Sequence, residues 1–151
     1  MISTLRRILP LLAVLVLVPA TLAQTVTYGM GGNFDQVDPN LTTFTRVGRI
    51  TLHVVEPLVW QTSPGQFAPG LAVDWSVNDD ATEYTFQLRE GVTFHDGTPF
   101  DAEAVKFTFD RIVDPEMKAQ TALSLIGPYE RTEVLGDHEV RVVFSQPFAP
   151  F

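Results

Sequence analysis

The chain has 151 residues, with 10 Lys and Arg against 18 Asp and Glu, a formal charge of −8 and no cysteine. That acidic balance disfavours a nucleic-acid partner, whose phosphates demand basic surface. The missing thiol excludes disulfides, thiolate metal sites and a lipidated N-terminal cysteine.

In chain order, the first segment reads as a leader. "MISTLRR" is a basic start, "ILPLLAVLVLVPA" an apolar run and "TLA" a small-residue cleavage site, so a secretory signal ending after Ala23 is expected. Pro10 and Pro19 interrupt the run and no basic stop-transfer flank follows, which disfavours a membrane span. Cleavage removes Arg6 and Arg7 and no acid, taking the formal charge from −8 to −10. A periplasmic or extracellular location follows from this reading.

"TVTYGM" alternates like a strand and "GGNFDQVDPN" is rich in turn formers. "GMGGNF" contains Gly29, Gly31 and Gly32 but lacks the third glycine of a dinucleotide fingerprint and no convincing helix follows, so phosphate binding is not expected. From Thr45 to Val55 the apolar residues Val47, Ile50 and Val54 recur at helical spacing, and Pro57 limits that helix. "PLVWQTS" reads as a short strand, with Gly65 and Pro69 bracketing a turn.

"LAVDWSV" and "EYTFQLRE", separated by the turn cluster "NDDAT", predict a β-hairpin. In its second strand Tyr84, Phe86 and Leu88 share one face, which should be buried. "TPFDAEAVKFTFDRIV" predicts a helix capped by Asp101, with Ala104, Val105, Phe107, Phe109 and Ile112 packing on the sheet. "VDP" ends it, a second short helix is expected in "EMKAQTALSLI", and "YERTEVL" and "HEVRVVFS" form another hairpin about a Gly136–Asp137 turn. Sheet, helix and hairpin in that order predict an α+β layer.

His95 and Asp96 invite a chemical reading because both types serve catalysis and metals. Asp96–Gly97 followed by Pro99 is, however, a tight turn with its own mechanism, and the expected role of His95 is to pin that loop. His53 and His138 are far away in sequence, and no nucleophile or metal motif lies nearby. Asp35, Asp38, Asp79 and Asp80 lack the ligand spacing of a calcium loop. Trp60, Trp75, Phe100, Phe107 and Phe109 are expected in the core, and no serine sits in an elbow motif. No enzyme activity and no cofactor are expected.

The string "EPLVW", then "FAPGLAVDWSVNDDATEYTFQLREGVTFHDGTPFDAEAVKFTFDRIVDP", resembles the extracytoplasmic solute-binding proteins of peptide and nickel ABC importers, bacterial solute-binding protein family 5. The most specific part is Leu88 to Pro99, with Pro69–Gly70–Leu71–Ala72 and Trp75 before it and Asp38–Pro39 and Glu56–Pro57–Leu58 further upstream. The resemblance implies an α+β chain: the start of a two-lobed periplasmic-binding-protein-like fold of type II, in the cluster with an extra subdomain, second lobe absent. It implies a signal peptide at 1–23, the beginning of the first ligand-binding lobe at 24–66, and an incomplete extra α+β subdomain at 67–151. In the family the His95–Pro99 segment is scaffold.

Members are several hundred residues long, and "FSQPFAPF" resembles the start of a further helix, so the chain reads as an N-terminal fragment. Residues 24–151 alone should bind ligand weakly or not at all, because hinge closure needs both walls of a cleft. The implied function is the substrate-binding component of an ABC transporter for peptide uptake, with a membrane permease as partner. Nickel or another small solute is the alternative within the family. A secreted hydrolase using His95 and Asp96, or a small secreted interaction module, are the alternatives outside it.

Ligand contacts carried over by resemblance fall on Thr45, Val47, Gly48 and Arg49, near the start of the first helix, where free amides suit a carboxylate or carbonyl. Thr121 is a further candidate. The competing reading is that Val47 is core and Arg49 a solvated charge.

Overall fold

Alternation decides the sheet. Tyr84, Phe86 and Leu88 on one strand and Val140, Val142 and Phe144 on another are all no more than 6% exposed, as side chains at every second position of a one-sided sheet must be. The computed structural model describes residues 38–41 and 50–149; the expected leader, the strand at 25–30 and residues 45–49 of the first expected helix lie outside them.

The described chain runs β1 (Val59–Ser63), β2 (Gln66–Pro69), β3 (Ala72–Val77), β4 (Glu83–Leu88), α1 (Ala102–Val113), a 3₁₀ turn (Pro115–Met117), α2 (Gln120–Leu125), β5 (Tyr129–Gly136) and β6 (Glu139–Phe144). Strands β1 and β2 form a separate antiparallel hairpin, and the others make one four-stranded sheet in the order β3-β4-β6-β5. All its pairings are antiparallel, with Trp75 opposite Phe86, Phe86 opposite Val140, and Val134 opposite Val140. On the outer face Arg141 lies 3.6 Å from both Glu83 and Glu133, carboxylates of the two flanking strands. The expected α+β layer is therefore present.

Helix α1 closes the inner face. Asp101 Oδ1 accepts a hydrogen bond from the Ala104 amide at 2.9 Å, the expected cap, and Val105 and Ile112 are buried. Asp114 ends the helix with extended backbone before Pro115, as the clash of a proline ring with the preceding residue requires. Phe109 stacks on Tyr129, with ring centroids 5.5 Å apart, tying the helix to β5. A second cluster of Ile112, Ala119, Ala122 and Ile126 also takes in Leu41.

Several local expectations are corrected. The stretch between Gly65 and Pro69 is strand β2, because its backbone pairs with β1 from Gln66 onward and Pro69 sits at the strand end, where no ladder donor is needed. Within the described residues the first helix reaches only Thr51, whose carbonyl accepts from the amides of both Val54 and Val55 and so closes the last turn well before Pro57. Phe107 does not pack on the sheet and is 68% exposed. The expected helix at 116–126 is broken by Lys118 at φ +53°, so that only Gln120–Leu125 is α-helical. The β5–β6 turn centres on Asp137–His138, where the Asp137 carbonyl accepts from Ala102 and that of His138 from Leu88.

The segment after β6 is a docked strap through Ala149, and the rest of the expected helix start lies outside the described residues. Ser145 donates from its amide to the Pro128 carbonyl, Phe148 donates to that of Ala81, and the Tyr84 hydroxyl donates to the Phe148 carbonyl at 2.9 Å.

Candidate functional site

The string Phe94–His95–Asp96–Gly97–Thr98 folds as a closed turn. The Phe94 amide donates to the Thr98 carbonyl at 2.8 Å and the Gly97 amide to the Phe94 carbonyl at 2.9 Å, with Gly97 at φ +86°. Asp96 Oδ1 accepts from the Thr98 amide at 3.0 Å and from its hydroxyl at 2.7 Å. The pin of this loop is therefore Asp96; His95 is exposed beside it.

Those two donors hold the Asp96 carboxyl below its ordinary value of 3.8. Because the folded-state value is depressed, the turn's contribution to stability is present above about pH 4 and is lost as pH falls through the folded value. A carboxyl-detected NMR titration should place the Asp96 midpoint below 3.8, and a midpoint at or above it would contradict the hydrogen-bonded turn.

The arrangement does not make a catalytic dyad. Asp96 spends its Oδ1 on Thr98, and the nearby hydroxyls are committed as donors: Thr98 to Asp96, and Thr108 to the Ala104 carbonyl at 2.9 Å. Neither of these hydroxyls donates to His95, so the imidazole is not paired with a nucleophile here. Among the described residues no group of three or more His, Cys, Asp or Glu is placed to hold a metal, and no helix is long and apolar enough to cross a membrane.

Of the carried-over ligand contacts, Thr45, Val47, Gly48 and Arg49 lie outside the described residues. Thr121 sits half-buried in the first turn of α2, where its carbonyl accepts from the Ser124 hydroxyl at 2.7 Å. The chain that leads toward residue 45 is held firmly. Asp38 pairs with Arg111 in the last turn of α1 and also accepts from the Asn40 amide at 2.9 Å. Leu41 packs in the cluster containing Ala122, the neighbour of Thr121. Sequence reasoning missed Arg111, because a partner 73 positions away leaves no local pattern.

The family model for bacterial extracellular solute-binding proteins, family 5 (its middle part), matches residues 66–151. The glutathione-binding protein GsiB of Salmonella paratyphi A is 32% identical over 133 residues, 88% of this chain and 26% of that protein. GsiB of Escherichia coli K12 is 32% identical over 129 residues, 85% of this chain and 25% of that protein. The chain thus spans about a quarter of the length of these relatives.

Among solved structures, NikA from Brucella suis in complex with Fe(III)-EDTA aligns with a TM-score of 0.64 at 32% identity, covering 76% of this chain and 22% of that one. OppA from Haemophilus influenzae in complex with the peptide RPPGFSPFR aligns at 0.67 and 25% identity, covering 75% and 25%. The described fold is accordingly part of a periplasmic-binding-protein architecture, and the expectation of no enzyme agrees with relatives named as binding proteins. On the match across residues 66–151, the chain belongs to the bacterial extracellular solute-binding proteins, family 5.

Proposed function

We propose that this chain is part of the substrate-binding component of an ABC importer and that the solute is a peptide. The observation that carries the reading is the 32% identity to glutathione-binding proteins over 88% of the chain. Solved relatives with the peptides RPPGFSPFR and STSA point the same way. In this reading residues 1–23 are a signal peptide, the protein works in the periplasm or outside the cell, and a membrane permease receives the solute. Residues 24–66 begin the ligand-binding lobe and 67–151 belong to the extra subdomain. Thr45, Val47, Gly48, Arg49 and Thr121 contribute ligand contacts, and the Asp38–Leu41 anchor fixes the chain that leads into the first four of them.

The test is a thermal melt of the protein expressed from its complete reading frame, with glutathione, a tripeptide mixture or a nickel–histidine complex added. A peptide ligand at 100 times its Kd should stabilise by about 2.7 kcal/mol. A shift with nickel–histidine and none with either peptide addition would remove the peptide assignment.

A further inference from the structure

An open groove of about 700 Å³ runs between the 94–98 turn and the first two turns of α1. Its apolar part is aromatic and solvent-facing: Phe94 is 47% and Phe107 68% exposed. Phenylalanine is an indifferent helix former, so Phe107 is not explained by helix propensity, and it covers no core.

The polar part of the groove is the His95 imidazole among a majority of acceptors. Asp96 and Glu103 bring two carboxylates. Lys106, on the next turn, makes its ion pair with Asp110 and feels Glu103 more weakly. Thr98 and Thr108 also line the groove, and both hydroxyl protons are donated away, to Asp96 and to the Ala104 carbonyl, which leaves their oxygens as acceptors. An apolar aromatic floor with an anionic, acceptor-rich rim is complementary to one kind of side chain: a long aliphatic stem ending in a donor-only cation. Arginine fits best, because its guanidinium both stacks on aromatic faces and forks onto carboxylates. Small-molecule sites enclose most of their ligand, whereas this groove is open along its length, which favours a side chain presented by a polypeptide. The chain's formal charge of −8 adds long-range attraction for such a partner.

We propose that the groove between Phe94 and Phe107 docks an arginine-bearing segment of a partner polypeptide, with the guanidinium between Asp96 and Glu103 and its stem on the two phenylalanines.

The test is fluorescence anisotropy of the full chain at pH 8 with a dye-labelled, end-blocked peptide GLRLG and its twin carrying citrulline, the uncharged isostere, in place of arginine. The arginine peptide should bind about tenfold more tightly than the citrulline peptide, and Glu103→Gln and Phe107→Ala should each weaken it by about three- to tenfold with unchanged melting temperature. Equal binding of the two peptides, or no binding of either, would overturn the proposal. Arginine-peptide binding indifferent to both substitutions would place it elsewhere, such as a peptide cleft, and would also overturn it. N-acetylarginine amide competing as well as the peptide would assign the groove to a small cation instead of a polypeptide.

Discussion

Gly127→Ala is expected to destabilise the fold by about 2–4 kcal/mol, combining overpacking with a left-handed backbone. A Cβ at Gly127 would lie 2.4–2.7 Å from three carbons of the Phe148 ring, and the residue sits at φ +62°. The ring is not free to retreat. Its backbone is hydrogen-bonded on both sides, to the Ala81 carbonyl and the Tyr84 hydroxyl, each at 2.9 Å, and it packs 5.5 Å from Phe144. Urea denaturation reads the loss directly. On a Phe148→Ala background the steric part should vanish, leaving only the left-handed strain of roughly 1–2 kcal/mol. An equal penalty in both backgrounds would show that the ring is not the cause.

Gly70→Ala should cost a similar amount, about 2–4 kcal/mol, for a different reason. Here the added carbon would meet backbone: the carbonyl oxygens of Pro57 at 2.4 Å and Leu58 at 2.9 Å. Those oxygens also accept from Gly70, Leu71 and Ala72 at 2.9–3.1 Å, and the Gly70 carbonyl accepts from the Arg89 side chain. Any shift that relieves the clash pulls apart the joint between the β1–β2 hairpin and the sheet. Hydrogen exchange should show lost protection at the Leu71 and Ala72 amides together with a lower urea midpoint. Gly136→Ala, where a Cβ meets nothing within 4 Å, is the control. A Gly70 variant as stable as that control would refute the close-approach argument.

Much of the sheet and helix is legible in the sequence because the signals are local. Strand β4 declares itself through alternation, α1 through its Asp101 cap and its stop before Pro115, and the 94–98 turn through Asp96 and Gly97. What fails locally is decided by distant partners. Strand β2 looks like a turn because Gly65 and Pro69 flank it, and only its pairing with β1 makes it extended. Phe107 looks like core because it shares the apolar periodicity of α1, yet the sheet is already covered by Val105, Phe109 and Ile112. The Phe148 strap and the Asp38–Arg111 pair join residues more than 60 positions apart, which no periodicity records. The ligand contacts at 45–49 rest on resemblance alone.

The strand order has a kinetic consequence. Strand β6 is the last of the described strands in sequence but lies inside the sheet, between β4 and β5. As a chain lengthens from its N-terminus, β3 and β4 can zip as a local hairpin, but the second edge of β4 has no mate until residues 139–144 arrive. Closing so long a loop before its contacts are rewarded slows folding. Until then β4 presents a bare edge carrying Tyr84, Phe86 and Leu88, the kind of surface that pairs with other chains. The hazardous interval in the life of this fold is therefore the one before β6 inserts, and solubility during synthesis should depend more on Val140 and Val142 than on any residue of β3.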